Sequence, residues 1–187
     1  AVSFADVVLD YSPVVVNGEP TAANQNAAKA LGVPDYASGG GCVDAEACTF
    51  VSLGDGGRLT LRFTDNLLTG SDSAAMDLWI FEVGPDVEDT FVEVSSNGST
   101  WFSVGKVFGS TAGIDLDAYG FGTTSSFGYV RLTDDGAEGD QSGISVGADI
   151  DAVGAISTVV VPEPGTLLLL AAGSAGIGGM RRRSAFL

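Results

Sequence analysis

The order of apolar and polar positions along the chain predicts a series of short β-strands. In LTLRF at 59–63 apolar side chains alternate with polar ones, which is typical of a strand with one buried face. DLWIFEV at 77–83 is apolar on both faces and indicates a central strand, and alternation resumes at 91–95. The same reasoning predicts strands at 7–11, 101–104, 114–116, 129–133 and 149–156. No long amphipathic helical pattern precedes residue 161, so we expect β-structure to supply the core.

Segments rich in glycine and asparagine separate these strands. The pair Asn97-Gly98 predicts a type I′ hairpin turn, in which both central residues have positive φ. Strands at short intervals with turn residues between them are typical of an antiparallel sandwich or barrel. We therefore predict an all-β body over residues 1–160, followed by a tail with a single hydrophobic helix over residues 161–187.

The body of the chain is strongly acidic. The 187 residues carry a net charge of −16, and the last 26 hold three of the eight basic residues but one of the 24 acidic ones. Residues 1–161 are left with five basic and 23 acidic residues, a net charge of −18. Such a surface repels nucleic acid and attracts cations, so no nucleic-acid partner is expected. The absence of histidine excludes a Ser-His-Asp hydrolase and a zinc site of the ordinary type.

The two cysteines, Cys42 and Cys48, are close enough in sequence to close a short loop. Paired cysteines are typical of proteins that leave the cytoplasm, so we expect a disulfide. Zinc binding is the alternative, although two thiolates without histidine leave its coordination shell incomplete.

Carboxylates concentrate towards the end of the body. Six of them fall within eighteen residues, with no Lys or Arg among them: Asp134, Asp135, Glu138, Asp140, Asp149 and Asp151. Like charges at this density favour a bound cation, and calcium accepts about six to eight oxygen ligands. Asp149 and Asp151 would lie on one face of a regular strand. A solvated acidic surface is the alternative.

The stretch at 115–126 begins like an EF-hand loop but does not fit one. Tyr119 occupies the fifth position, where an EF-hand has a ligand, and Ser126 occupies the twelfth, where it has a bidentate glutamate.

Six segments of the body follow one another in a recognisable order: SLGDGGRLTLRF, DLWIFEVG, VEVSSNGSTWFSVG, IDL, YVRLTDDG and GADIDAVGAI. This order resembles secreted bacterial surface domains akin to the galactose-binding and discoidin-like modules. The resemblance implies a non-catalytic, antiparallel jelly-roll-like β-sandwich, often stabilised by calcium and sometimes binding glycans through its loops. In such modules calcium commonly joins the last strand to the loop after the first one, which makes Asp35 a possible ligand.

The predicted calcium site combines this resemblance with the acidic residues found above. Glu82 interrupts an otherwise apolar strand and is a further possible ligand. The predicted calcium ligands are Asp35, Glu82, Asp134, Asp149 and Asp151.

Aromatic side chains are the candidates for contact with sugars. Trp79 and Trp101 lie in predicted strands and are expected to pack within the fold, whereas Tyr36 and Tyr119 lie in loops. An enzyme would have to be a glycosidase that uses a pair of carboxylates, and nothing in the sequence sets such a pair at the required separation. We therefore predict that the protein is not an enzyme.

The end of the chain combines a Pro-Glu-Pro motif, an apolar run at 166–180 and a basic cluster. The motif is Pro162, Glu163 and Pro164, and the basic cluster is Arg181, Arg182 and Arg183. This order resembles the PEP-CTERM sorting signal, which implies export, transient insertion in the inner membrane, and processing by an exosortase-type enzyme. The arginines would act as the membrane stop on the cytoplasmic side. A helix of fifteen apolar residues reaches only about 22 Å, which suits temporary anchoring.

Together these features predict an exported structural or adhesion protein of the cell surface or extracellular matrix, stabilised by calcium. A module that binds glycans of the surface or exopolysaccharide is the first alternative. The second is a subunit of an extracellular filament that keeps its tail as an assembly helix and binds copies of itself. Residues 1–5 fit either a trimmed mature end or the remnant of a signal peptide, since Ser3 and Ala5 suit a signal peptidase.

Overall fold

Antiparallel β-strands dominate the part of the chain that the structure describes. The computed structural model describes residues 2–36, 42–83, 88–108, 110–139 and 142–161. Its strands are β1 (Ser3–Phe4), β2 (Val7–Ser12), β3 (Val51–Ser52), β4 (Arg58–Arg62), β5 (Asn66–Leu68), β6 (Leu78–Glu82), β7 (Thr90–Ser95), β8 (Phe102–Val107), β9 (Thr111–Ile114), β10 (Tyr129–Asp134), β11 (Asp149–Ala155) and β12 (Thr158–Val160). The described helical elements are short 3₁₀ turns at Ala22–Asn24, Ala27–Ala30 and Asp117–Tyr119. The prediction of an all-β fold is confirmed.

The strands form two large sheets and a small one. The first large sheet has the order β1-β11-β6-β9, and β3 also pairs with β11. The second has the order β2-β4-β10-β7-β8, while β5 and β12 form the small sheet. Buried residues of both large sheets belong to a single hydrophobic cluster, so the two sheets pack against each other across one core.

The pattern of apolar residues explains where this core lies. On β4, Leu59 and Leu61 are buried while Arg58 and Arg62 are exposed, as the alternation predicts. Strand β6 lies between β11 and β9, so it is a central strand as its apolar character predicts. Strand β11 is buried along its whole length, which brings its two aspartates into the interior.

A disulfide joins Cys42 to Cys48, with an S–S distance of 2.09 Å. Cys48 is fully buried beside Phe50 and Val83, and Tyr36 packs against this small cluster. The predicted disulfide is therefore confirmed, and it fixes one end of its loop to the body of the domain.

The connection between β7 and β8 differs from the predicted type I′ turn. Residues 96–101 separate the strands, and of the two expected central residues only Gly98 has a positive φ, of 73°. The side chain of Asn97 explains the difference. Its Oδ1 accepts hydrogen bonds from the amides of Ser99 and Thr100, at 2.9 and 2.8 Å, and from the Ser99 hydroxyl at 2.9 Å. These bonds stabilise a wider loop and delay the start of β8 to Phe102.

Strand β9 also ends earlier than predicted, at Ile114. The Asp115 side chain accepts a hydrogen bond from the amide of Asp117 at 2.9 Å. A local bond of this kind competes with strand pairing, so the chain turns into the 3₁₀ turn instead of extending the sheet.

The predicted tail lies outside the described residues. This applies to its hydrophobic helix, to Pro162, Glu163 and Pro164, and to Arg181, Arg182 and Arg183. Within the described ranges, no helix combines the length and the apolar character that crossing a membrane requires. The boundary between a body over 1–160 and a tail over 161–187 stays a prediction.

We expect Asn97→Ala to lower the free energy of unfolding by about 1–2 kcal/mol, because two amides and a hydroxyl lose their acceptor in an exposed loop. Asn97→Asp keeps an acceptor oxygen at the same position and is the matched control. Chemical denaturation of both variants measures the effect. If Asn97→Ala is as stable as the wild type, the Asn97 side chain does not stabilise the loop between β7 and β8.

Candidate functional site

Four buried carboxylates lie where strands of the two large sheets begin or end. Glu82 ends β6 and Asp134 ends β10, while Asp149 begins β11 and Glu88 shortly precedes β7. Their exposed fractions are 2% for Glu82, 5% for Glu88, 2% for Asp134 and 6% for Asp149. The pairing of the strands brings them to one region: Glu82 pairs with Ile150, the residue after Asp149, and Asp134 pairs with Thr90, two residues after Glu88. The charges of Glu88, Asp149 and Asp134 all raise the pKa of Glu82. We name these four residues the Glu82 cluster.

Glu82 is the least compensated member of the cluster. Among the described residues, neither of its carboxylate oxygens has a hydrogen-bond partner of normal geometry. Burial is the main cause that raises the pKa of Glu82 to about 9, and the charges of Glu88, Asp149 and Asp134 raise it further. The nearby backbone amide of Asp149 lowers this pKa but does not cancel the increase. A buried carboxylate without a partner is costly, so Glu82 must either hold a proton or gain a cation.

Asp149 shares this environment. Burial is the main cause that raises the pKa of Asp149 to about 8, and the charges of Glu88 and Asp134 raise it further. Hydrogen bonds from the hydroxyls of Ser52 and Ser145 lower the pKa but do not cancel the effect of burial. The two hydroxyls therefore orient the Asp149 carboxylate without neutralising it.

Asp134 differs from its neighbours because backbone amides satisfy both of its oxygens. Oδ1 accepts a hydrogen bond from the amide of Ala148 at 2.7 Å, and Oδ2 accepts one from the amide of Gly56 at 2.8 Å. Burial raises the pKa of Asp134, and these two bonds lower it. Asp134 thus ties the turn before β4 to the residue before β11.

Asp151 makes its contacts with the loop that contains Asp35. Its Oδ1 and Oδ2 accept hydrogen bonds from the amides of Asp35 and Tyr36, each at 3.3 Å. A register shift between Ile150 and Ala152 interrupts the regular alternation of β11 at this point. Three of the five residues predicted as calcium ligands thus belong to the Glu82 cluster, while Asp151 and Asp35 contact each other.

Glu88 is the member of the cluster that the sequence reasoning missed. It lies in the connection between β6 and β7, where no apolar periodicity marks it. It approaches Gly139 so closely that a Cβ at position 139 would lie 2.4 Å from its Cγ. Only the pairing of β7 with β10, which sets Thr90 opposite Asp134, brings Glu88 to the cluster.

A more exposed acidic group is neutralised by a lysine. Carboxylate oxygens of Asp89, Asp135 and Glu138 lie within 4.8 Å of one another. The Lys106 ammonium lies 2.5 Å from an oxygen of Asp135 and 2.5 Å from an oxygen of Asp89. The hydrogen bonds to Asp135 and Asp89 raise the pKa of Lys106 to about 12. This group therefore contains its own counter-ion.

Two of the three arginines in the described ranges form ion pairs away from Glu82. Arg58 pairs with Asp10 at 3.5 Å, and Arg131 pairs with Glu93 at 2.7 Å. In the described part of the chain, no ion pair joins a basic side chain to Glu82. An ionised Glu82 is thus left without a protein cation in the described part of the chain.

Of the aromatic rings considered for contact with sugars, Tyr119 is well exposed, at 46%. Tyr36 packs edge-on against Phe50, with ring centres 5.8 Å apart. The guanidinium of Arg131 lies over Trp101, 4.2 Å from its ring centre, and covers that face. Of these three rings, Tyr119 is therefore the most exposed.

The end of the chain matches a known sorting motif. Residues 160–183 match the PEP-CTERM protein-sorting motif. The chain carries a PEP-CTERM motif. PEP-CTERM motifs are substrates of exosortases, so the protein is exported and is anchored in the membrane in transit. The predictions of a sorting signal, of export and of an exosortase-type partner are confirmed.

Two solved structures are similar to this chain at low identity. The C-terminal domain of a chitobiase from Bacteroides fragilis is 15% identical with a TM-score of 0.36, over 56% of this chain and 64% of that chain. CpGH89CBM32-6 from Clostridium perfringens is 11% identical with a TM-score of 0.37, over 58% of this chain and 74% of that chain. The chain thus spans less than two thirds of the chitobiase domain. No curated protein sequence matches the chain.

Without divalent cations, we expect the stability of the chain to fall as pH rises from about 5 to about 9. Glu82 and Asp149 have pKa values of about 9 and about 8 in the folded protein, above their ordinary values of 4.5 and 3.8. In this window the folded protein binds more protons than the unfolded chain, so raising the pH favours unfolding. Thermal unfolding in buffers free of divalent cations measures the effect.

Glu82→Gln should reduce this pH dependence, because glutamine has no charge to gain. Glu93→Gln is the matched control, since Glu93 is partly exposed and pairs with Arg131. A melting temperature that stays constant or rises between pH 5 and pH 9 would show that the buried acids do not titrate as described.

Proposed function

We propose that the described residues form a non-catalytic surface domain of an exported protein, and that calcium bound by the Glu82 cluster completes its fold. The observation that carries this proposal is Glu82, which is 2% exposed and has no hydrogen-bond partner of normal geometry among the described residues for either carboxylate oxygen. Burying such a group in its ionised form beside three other carboxylates is unfavourable unless a cation joins them.

The chemistry of the donors favours calcium over a transition metal. The cluster offers carboxylate oxygens, the chain contains no histidine, and the described residues include no free cysteine. Glu82, Glu88 and Asp149 would supply ligand oxygens. Their carboxylates would have to move closer together to share the ion, because their oxygens do not all lie within 4.8 Å of one another. Asp134 would hold the surrounding backbone in place, since amides already occupy both of its oxygens. Asp151 would not bind the ion in this arrangement. It would hold the loop that contains Asp35 in place, through its hydrogen bonds from the amides of Asp35 and Tyr36.

The burial of these acids supports a structural role. A glycosidase needs two carboxylates that flank a bound sugar. No member of the Glu82 cluster is more than 6% exposed, so a sugar ring cannot reach the four carboxylates without local unfolding. We therefore assign the cluster to stability and not to catalysis.

The PEP-CTERM motif supports a place outside the cell for this domain. A body with a net charge of −18 suits a solvated surface that interacts through cations or neutral polysaccharide. We infer that the processed domain remains at the outer surface or in the extracellular matrix, as a structural or adhesion module in contact with polysaccharide or with copies of itself.

We expect saturating calcium to raise the melting temperature by roughly 5–10 °C at about a hundredfold excess over its dissociation constant, because the ion binds only the folded state. A chelator should reverse the shift. Glu82→Gln should remove the part of the shift that the Glu82 cluster contributes, because the variant keeps the side-chain size and loses the charge that binds the ion. Thermal unfolding followed by circular dichroism measures both effects.

Glu93→Gln removes one acid outside the cluster and should respond to calcium like the wild type. If Glu82→Gln and the wild type gain the same number of degrees on addition of calcium, the Glu82 cluster does not bind the ion.

Processing near the PEP-CTERM motif predicts a mature chain that ends close to Glu163 and lacks the apolar run that follows. Mass spectrometry of protein recovered from the cell surface or the culture medium measures the mature end. A secreted chain that still ends at Leu187 would contradict processing and would favour the filament in which the tail is retained.

A further inference from the structure

A second acidic group lies where β6 begins and β9 ends. Asp77 directly precedes β6, and Asp115 directly follows β9. The two strands pair with Leu78 opposite Ile114, which brings these aspartates together. Asp117, at the start of the last 3₁₀ turn, completes the group. One carboxylate oxygen from each of the three residues lies within 4.8 Å of the others. We name these residues the Asp77 triad.

Asp77 is fully buried, with an exposed fraction of 0%. Its Oδ2 accepts a hydrogen bond from the amide of Leu116 at 3.0 Å. Its Oδ1 is buried and has no hydrogen-bond partner among the described residues. The Asp77 backbone is held by hydrogen bonds to Ile114 at 2.9 Å and from Ile156 at 2.7 Å. The carboxylate is therefore fixed in place and cannot turn towards bulk water to satisfy this oxygen.

The other two members of the triad are held by backbone amides. Asp117 accepts hydrogen bonds from the amide of Ser71 at 2.8 Å and from the amide of Asp72 at 3.1 Å. Asp115 accepts one from the amide of Asp117 at 2.9 Å. These bonds orient the carboxylates, and they connect the loop before β6 to the turn after β9.

The group around Lys106 provides an internal comparison. That group has the same separation of carboxylate oxygens, within 4.8 Å, and the fold supplies an ammonium to it. In the described part of the chain, no ion pair joins a basic residue to the Asp77 triad. Three carboxylates at this distance repel one another, most strongly where one of them is buried.

We propose that the Asp77 triad is a second site for a divalent cation of the calcium and magnesium class, separate from the Glu82 cluster. Two oxygens that each lie about 2.3–2.6 Å from one calcium ion are at most about 5 Å apart, so the observed oxygens can share an ion. The donors are all hard oxygens, which such cations prefer. The bound ion joins the start of β6 to the 3₁₀ turn after β9 and so links this turn to the central strand.

Calorimetric titration of the whole chain in detergent with calcium chloride tests the site. Asp77→Asn and Asp115→Asn should each bind one calcium ion fewer than the wild type, or bind it at least about tenfold more weakly. Asp44→Asn is the matched control. Asp44 accepts a hydrogen bond from the amide of Glu46 at 3.0 Å, the same local turn that Asp115 makes, but it lies outside the triad. Its calcium binding should equal that of the wild type.

The outcomes separate this site from the Glu82 cluster. If Asp77→Asn and Asp115→Asn lose a calcium ion that Glu82→Gln keeps, the Asp77 triad is supported whether or not the Glu82 cluster binds calcium. If both triad variants bind calcium like the wild type, the proposal is wrong, even where Glu82→Gln loses an ion. Should Asp77→Asn fail to fold, the partly buried Asp115 decides the question alone, through Asp115→Asn against Asp44→Asn.

Discussion

The neutralisation of buried carboxylates is the constraint on which the rest of this structure depends. Residues 1–161 contain 23 acidic and five basic side chains, so most of the acids cannot be paired with a base. The antiparallel sandwich nevertheless buries several of them at strand ends, and it covers β11 along its whole length. Burial removes the water that would otherwise solvate these charges, so each buried acid needs another source of compensation.

The described residues meet this constraint in two ways. Lys106 neutralises the most exposed of the acidic groups. Backbone amides satisfy both oxygens of Asp134 and both oxygens of Asp151, and in doing so they hold loops against the strands. Glu82 and Asp77 differ from these, because each has at least one buried oxygen without a hydrogen-bond partner among the described residues. Both proposed cation sites lie where lysine and backbone compensation are insufficient.

The proposed dependence on cations fits the route that the PEP-CTERM motif indicates. Calcium sites of extracellular modules are commonly weak, and they fill at calcium concentrations found outside the cell. The Cys42–Cys48 disulfide is likewise a bond that persists in oxidising compartments. With calcium bound as proposed, the domain would become fully stable only after export, which would separate its transport across the membrane from the completion of its fold.

The sequence by itself determined the seven strands of five residues or more, the disulfide and the sorting motif, because each depends on residues close together in the chain. It did not predict the short strands β1, β3, β5 and β12. Period-two alternation was enough to place Leu59 and Leu61 in the core. Only the tertiary structure decided which acids meet. Asp77 reaches Asp115 because β6 pairs with β9, and Glu88 reaches Asp134 because β7 pairs with β10. The register between distant strands results from packing across the whole core, so no local spacing of carboxylates reveals these contacts.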